Sequence, residues 1–359
     1  MRVRLEDVCE KESSKLKQSD VIDQNGLYPV YGASGYLGNI NTYQQSNYYI
    51  AVVKDGAGIG RTMLLPPESS IIGTMQYLIP KDNVLPEYLY YVVKAKHLEK
   101  YFSGATIPHI YFKDYKNEQF DLVSFEEQRV IINRLKKIEI IIDNLSKNLL
   151  LLDELVRARF VEMFGDPRIN EKKWKAGKIV DYFEVKGGKR IPKGMGYAER
   201  KTNHPYLRAS DMKNATILDD DIHYIDEEVY KRIKRYTVNA HDIYLTNVGV
   251  NLGMAGVIPK QYDGANLTEN AVKLVPKDKI LLNGMFLSYY INSPGIQHYI
   301  NERKMSVGVP KLAIFRIESM PLLLPPLELQ NQFASIVEEI DKSRLLSNHS
   351  LFLIKSIIF

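Results

Sequence analysis

Short elements of this chain recur in the same order at an offset that grows along the sequence, the drift expected from a duplication followed by loop insertions. Pro29, Ala33 and Ser34 return as Pro205, Ala209 and Ser210, an offset of 176. Ile50, Gly56, Gly60, Leu65 and Pro66 return as Ile243, Gly249, Gly253, Ile258 and Pro259 at 193. Pro80-Lys81-Asp82 returns as Pro276-Lys277-Asp278 at 196, and Pro108, Leu122, Glu126, Gln128 and Ile138 return as Pro310, Leu324, Glu328, Gln330 and Ile340 at 202. A chain written this way folds into two similar halves. Each half carries short strand-like runs punctuated by Gly and Pro, such as Tyr48 to Val53 and Asp242 to Thr246, then a short helix and one long helix. The expected class is α+β: two pseudo-symmetric mixed domains at residues 1–123 and 165–323, each followed by a long helix, at 124–164 and 324–359.

The long helices carry their own signals. Ser124 as N-cap with Glu127 three residues on forms a capping box for the first. Gly165-Asp166-Pro167 stops it, since Gly accepts the left-handed cap and Pro cannot continue a helix. Pro325-Pro326 pre-sets the first turn of the second. A heptad seam runs through Ile131, Leu135, Ile138, Ile142, Leu145, Leu149, Leu152, Val156 and Met163, off pattern only at Arg159. Shifted by 202, it becomes Phe333, Val337, Ile340, Arg344, Ser347, Leu351, Ile354 and Ile358, with two polar breaks. Ile132, Ile141, Leu150 and Leu151 widen the first helix's apolar face, which allows a competing arrangement in which each helix packs only on its own domain. Neither helix hides so wide a face alone, so a paired coiled coil is the better account.

A chain of 359 residues with 45% hydrophobic content can bury two cores. Its single cysteine, Cys9, has no partner for a disulfide, and no basic stretch followed by an apolar run opens the sequence, so a cytoplasmic location is expected. Charges interrupt the aliphatic stretch from Ile131 to Leu155, so no membrane span is expected. The net charge of +5 permits nucleic-acid binding without demanding it. Its distribution says more. Eleven Lys and Arg stand against four acids from Arg168 to Lys201, ahead of the acidic group Asp219, Asp220, Asp221, Asp226, Glu227 and Glu228.

Motifs for chemistry are missing. Gly56-Ala57-Gly58-Ile59-Gly60 has neither dinucleotide spacing nor a following P-loop lysine, and reads as a tight turn. Glu184-Val185-Lys186 with Asp166 imitates a nuclease pattern, but Asp166 precedes a proline at a helix end. There is no Asn-Pro-Pro-Tyr for amine methylation, no His-Glu-x-x-His and no cysteine pair for zinc. No catalytic or metal-binding residue is assigned.

Four pieces in order resemble the specificity subunits of type I restriction-modification systems. They are Met163-Phe164-Gly165-Asp166-Pro167; Trp174, Asp181 and Gly187-Gly188-Lys189; Gly104-Ala105-Thr106-Ile107-Pro108-His109 with its counterpart Val307-Gly308-Val309-Pro310-Lys311; and Leu324-Pro325-Pro326-Leu327-Glu328-Leu329-Gln330. The resemblance implies two target recognition domains separated by two long antiparallel helices, each domain reading half of a bipartite site in double-stranded DNA. It also implies two adenine methyltransferase subunits as partners, with nuclease and translocase subunits in the full complex. S-adenosylmethionine, ATP and Mg would then be bound by those partners, and this chain would catalyse nothing.

Candidate DNA contacts in the first domain are Lys54, Arg61, Gln76, His109, Tyr111, Lys113, Tyr115 and Lys116. In the second they are Lys186, Lys189, Arg190, Lys193, Arg200, Lys201, Arg208, Ser210, Asn247, Asn251, Lys304 and Lys311. Amide side chains suit adenine and Arg or Lys suit guanine, while most other basic contacts hold phosphate. The rival readings are a complete methyltransferase or nuclease with divergent motifs, which would itself bind S-adenosylmethionine, and a duplicated protein-interaction module without a DNA role.

Overall fold

The computed structural model describes residues 1–22, 24–104, 108–219, 221–277, 282–305 and 308–358, with side chains to 354. The recurring segments at 104–109 and 307–311 therefore lie partly outside the described residues. The chain divides into two compact units, residues 1–145 with 351–359, and residues 146–350.

In the first unit a four-stranded antiparallel sheet runs in the order Cys9–Ser13, Met75–Pro80, Tyr49–Val53, Thr62–Leu65. Every residue of Tyr49–Val53 is fully buried, as its unbroken apolar run demands. A three-stranded sheet places Tyr28–Gly32 between Gly35–Ile40 and Ser70–Ile71. Arg2–Arg4 pairs with Gln119–Asp121, tying the start of the chain to the segment just before the long helix.

The second unit repeats this plan with the register that the drifting offsets require. Its four-stranded sheet runs Phe183–Gly187, Ala271–Pro276, Ile243–Thr246, Ala255–Val257. Ile50 faces Leu64 and Leu78; Ile243 faces Val257 and Leu274. Val30 faces Ser70 in a parallel pair, and Tyr206 faces Asn266 likewise. Lys175–Lys178 pairs with Pro321–Leu324 as the closing ribbon. Between Pro205 and Ile243 the second unit carries a hairpin, Met212–Lys213 with Thr216–Ile217, and the helix Glu227–Ile233. This longer connection is the source of the step in offset from 176 to 193.

The long helices are α1, Phe125–Phe164, and α2, Leu327–Ile358. The capping box forms: Glu127 N–H donates to Ser124 Oγ at 3.3 Å, and Ser124 N–H donates to Glu127 Oε2 at 3.1 Å. Gly165 ends α1 at φ +77, its N–H returning to Val161 O at 2.8 Å. Ile131, Leu135, Ile138, Ile142, Leu145, Leu149 and Leu152 are each partly covered and Val156 is buried, while their neighbours are largely exposed. The α2 positions Phe333, Val337, Ile340 and Leu351 are buried; Arg344, Ser347 and Ile354 are half-covered.

At the off-pattern position Arg159 stays in solvent and Phe160, 3% exposed, takes its place. The seam shifts by one residue there, which lets Phe160 join Phe164, Phe286 and Phe333 at ring separations of 5.0, 5.9 and 5.5 Å. Within the second unit Phe164 meets Phe333 and Asp153 meets Arg344, so the two helices run antiparallel. Of the four widening residues, Ile132 is buried in the first unit's core, whereas Ile141, Leu150 and Leu151 remain exposed. No helix among the described residues is long and apolar enough to cross a membrane.

Candidate nucleic-acid interface

In the second unit the basic loop is positioned by a close backbone crossing. Gly188 N–H donates to Ala271 O at 3.1 Å and Lys189 N–H donates to Leu267 O at 2.8 Å. A Cβ on Gly188 would stand 2.0 Å from Thr268 O, so only glycine passes here. Gly188 of the Gly-Gly-Lys motif is thus a packing requirement that delivers Lys189 and Arg190 to the end of strand Ala271–Pro276.

Around this crossing lies an open cleft of about 480 Å³, walled by Arg190, Tyr197, Arg208, Ser210, Glu269 and Asn270. Arg190 Nε donates to Glu269 Oε1 at 2.5 Å. Burial raises the carboxyl pKa of Glu269, but the hydrogen bonds from Arg190, its own backbone N–H and Thr268, together with the Arg190 charge, outweigh it and leave the group below the usual carboxylate range. Tyr206 beneath the cleft donates its hydroxyl to Lys189 O at 2.9 Å, and burial pushes its pKa up to about 12. Lys189 Nζ and the Arg235 guanidinium lie 5.8 and 5.0 Å from the Tyr236 ring centroid. Lys193 and Arg200 are exposed, and Lys201 rests 5.8 Å from the Tyr224 ring. Lys186 stands apart on strand Phe183–Gly187, paired with Glu184 at 2.8 Å.

A second group gathers where the turn after strand Ile243–Thr246 meets the segment around Lys311. Gly249 N–H donates to Pro310 O at 2.9 Å, and Met305 N–H donates to Lys311 O at 2.8 Å. Asn251 Nδ2 donates to Ala209 O at 3.3 Å, next to exposed Ser210. Lys311 is exposed, and Lys304 donates to Asn301 Oδ1 at 2.7 Å.

In the first unit the corresponding turn is closed by Gly56 N–H donating to Pro108 O at 3.0 Å. His109 Nδ1 and Asp55 Oδ1 are 2.6 Å apart, and Lys54 pairs with the same carboxylate at 3.4 Å. Tyr111 stacks 6.3 Å from His109 and carries Lys113 at 5.4 Å from its ring. Lys54, His109, Tyr111 and Lys113 therefore form one cluster. Arg61 lies at the far end of the glycine turn and donates to Ala33 O at 2.7 Å, and Lys116 is held by Glu6 at 2.7 Å.

Four sequence-based candidates require correction. Gln76 and Tyr115 are 1% and 0% exposed and hydrogen-bond each other inside the core. Asn247 is 6% exposed, with its side-chain amide directed to Leu312 O at 3.4 Å. None of the three has surface to offer. Arg208 is half-buried, with all three guanidinium nitrogens engaged: with Asp211 at 2.7 Å, with Asp221 at 3.0 Å, and through Nη1 with His223 at 3.2 Å. It fastens the loop that carries Ser210.

Arg235 and Lys234 were missed by sequence reasoning. Their run, Lys231-Arg232-Ile233-Lys234-Arg235, follows Glu227 and Glu228 and so looks neutral. In the structure Lys231 and Arg232 pair with those acids at 3.6 and 2.7 Å, leaving Lys234 and Arg235 without an acidic partner among the described residues. Hydrogen bonding from Arg168, 2.6 Å away, holds the Asp166 carboxyl below its ordinary range, and no group of three or more metal-ligating side chains occurs among the described residues.

Comparison with known proteins agrees with this frame. The type I restriction modification DNA specificity domain matches residues 1–151 and again 171–354. The MjaIX specificity subunit of a type I restriction enzyme from Methanocaldococcus jannaschii is 24% identical over 301 residues, spanning 78% of this chain and 68% of that protein. The MjaVIII specificity subunit of the same organism is 28% identical over 182 residues, 51% of this chain and 39% of the relative. A crystal structure of the type I restriction-modification S subunit from M. genitalium superposes with a TM-score of 0.60 at 17% identity, over 100% of this chain and 93% of that one. A chain from a structure of type I R-M complex assembly and conformational transition gives 0.57 at 14%, over 100% and 95%. These superpositions establish the fold, while the family match covers both halves of the sequence. The chain belongs to the type I restriction-modification DNA specificity family, and its role is that of a non-catalytic specificity subunit.

Proposed function

We propose that the chain reads a bipartite site in double-stranded DNA, one half with residues 1–123 and the other with residues 165–323, and positions two adenine methyltransferase subunits over it. The observation that carries this reading is a repeated frame with unlike side chains at equivalent surface positions. His109 and Lys311 occupy the same register against Asp55 and Val248, as do exposed Glu12 and Lys186 on the matched strands Cys9–Ser13 and Phe183–Gly187. A frame kept the same while its surface differs suits a device that reads two different half-sites.

The basic loop of the second unit and the Lys54, His109, Tyr111 and Lys113 cluster of the first are the proposed contact regions. Lys186, Lys304, Lys311, Asn251 and Ser210 extend the second, and Arg61 and Lys116 the first. Most cationic groups among them hold phosphate, while a minority of arginines and lysines and the amide side chains face base edges. S-adenosylmethionine, ATP and Mg are bound by the partner subunits, with nuclease and translocase subunits joining the full complex in the cytoplasm. The target adenine leaves the stack within the assembled complex.

Selection from a random duplex library by the chain with its methyltransferase partner tests this. A split motif is expected, and enrichment of one continuous motif, or none, would overturn it. Equilibrium dialysis of the chain alone with S-adenosylmethionine separates the enzyme alternative, since binding there would favour a divergent methyltransferase.

A further inference from the structure

Two arginines wall the cleft of the second unit, and they differ in what their guanidinium groups have left to give. Arg208 uses Nε, Nη1 and Nη2 on Asp211, Asp221 and His223. Arg190 engages only Nε, on Glu269, and neither Nη group donates to any described residue. Its side chain is 77% exposed, whereas that of Glu269 is 29% exposed and touches Thr268 Oγ1 at 3.2 Å. The backbone on both sides is pinned, by Lys189 N–H to Leu267 O and by Asn247 N–H to Asn270 O at 2.9 Å. An exposed arginine is thereby held at its Nε edge with the two-pronged Nη end turned free.

That is the end that matches O6 and N7 of guanine in the major groove, the commonest bidentate base contact. A carboxylate holding Nε removes much of the rotamer freedom that an arginine otherwise loses on binding. The first unit has no such pair in the same frame. The sequence offsets of the matched strands, carried past their paired ends, lead from Leu16 to Arg190 and from Gly73 to Glu269, and the loop is bonded differently there, Gly73 N–H donating to Leu16 O at 2.7 Å. A feature present in only one copy of a repeated frame belongs to what distinguishes the copies.

We infer that Arg190, positioned by Glu269, reads one guanine of the half-site recognised by the second unit. The inference rests on the DNA-reading role proposed above and names one base within it. Glu269 acts through Arg190 as a positioning residue.

The test uses the chain in complex with its methyltransferase partner, with binding preference read from a randomised duplex library and thermal unfolding measured in parallel. The wild-type complex is expected to show a G·C pair in the half-site of the second unit. Arg190→Ala should relax that one position, losing roughly 5- to 150-fold of discrimination there while keeping all other positions. Glu269→Ala should weaken the same position at an unchanged melting temperature, and Glu269→Gln, which keeps an acceptor for Nε, should retain more of it. A uniform fall in affinity with a shallower salt dependence would make Arg190 a phosphate contact and overturn the inference. So would a second half-site without any G·C pair, or total loss of binding by a folded Arg190→Ala complex. Failure of the wild-type complex to select any motif would instead overturn the DNA-reading role itself.

Discussion

Gln330 Oε1 accepts the backbone N–H of Asn283 at 2.8 Å, and its side-chain amide donates to Pro325 O at 2.8 Å. Gln128 makes the same two bonds in the other unit, to Leu85 N–H at 2.8 Å and Val123 O at 3.0 Å. Both glutamines are buried, at 0% and 1% exposed, and each fastens the first turn of a long helix to the start of a short one. Replacing either by alanine strands a backbone donor and an acceptor away from water. Gln330→Ala and Gln128→Ala are each expected to lose about 1–3 kcal/mol of stability, measured by urea unfolding. No change would mean that these bonds do not fasten the helices.

The shift of the seam at Arg159 makes a contrast of neighbours. Phe160→Ala removes a ring from a close aromatic cluster and should cost about 3–5 kcal/mol. Arg159→Ala removes only an exposed pair with Glu162 and should stay within about 0.5 kcal/mol. Equal effects in denaturant unfolding would contradict the packing described for α1.

Adjacent glycines give a second contrast. Gly188→Ala places a methyl 2.0 Å from a backbone carbonyl and should cost about 1–3 kcal/mol, displacing the loop that carries Arg190. Gly187→Ala meets nothing nearer than Ile314 Cδ1 at 3.9 Å and should be nearly silent. Thermal unfolding and DNA affinity of the two variants, measured side by side, check this.

The duplication, the capping box and the heptad seam were legible because each is a spacing, and spacings survive without coordinates. The offsets at Ile50, Leu64 and Leu78 reappear as strand register at Ile243, Val257 and Leu274. Individual contact residues were less legible, because a polar or aromatic letter does not reveal its partners. Gln76 and Tyr115 look like a donor and a stacking platform but satisfy each other in the core. Arg208 and Arg190 are alike in sequence, and only the positions of Asp211, Asp221 and Glu269 separate a fastened arginine from one with a free end. Arg235 was hidden because its run follows two acids, which in the folded helix neutralise only Lys231 and Arg232.

Phosphate contacts are expected among the exposed lysines of the basic loop. Changing Lys193 and Lys201 together to alanine should weaken binding on all sequences alike and flatten the slope of log affinity against log salt by roughly two. An unchanged slope across a salt titration would remove those residues from the DNA path.

The central claim, two autonomous reading units in one chain, is tested most directly by exchanging residues 1–123 for the same region of a relative and sequencing the methylated sites in cells that carry the methyltransferase partner. One half of the split motif should change to that of the relative while the other half stays as in the parent. A change in both halves, or in neither while methylation continues, would contradict the account.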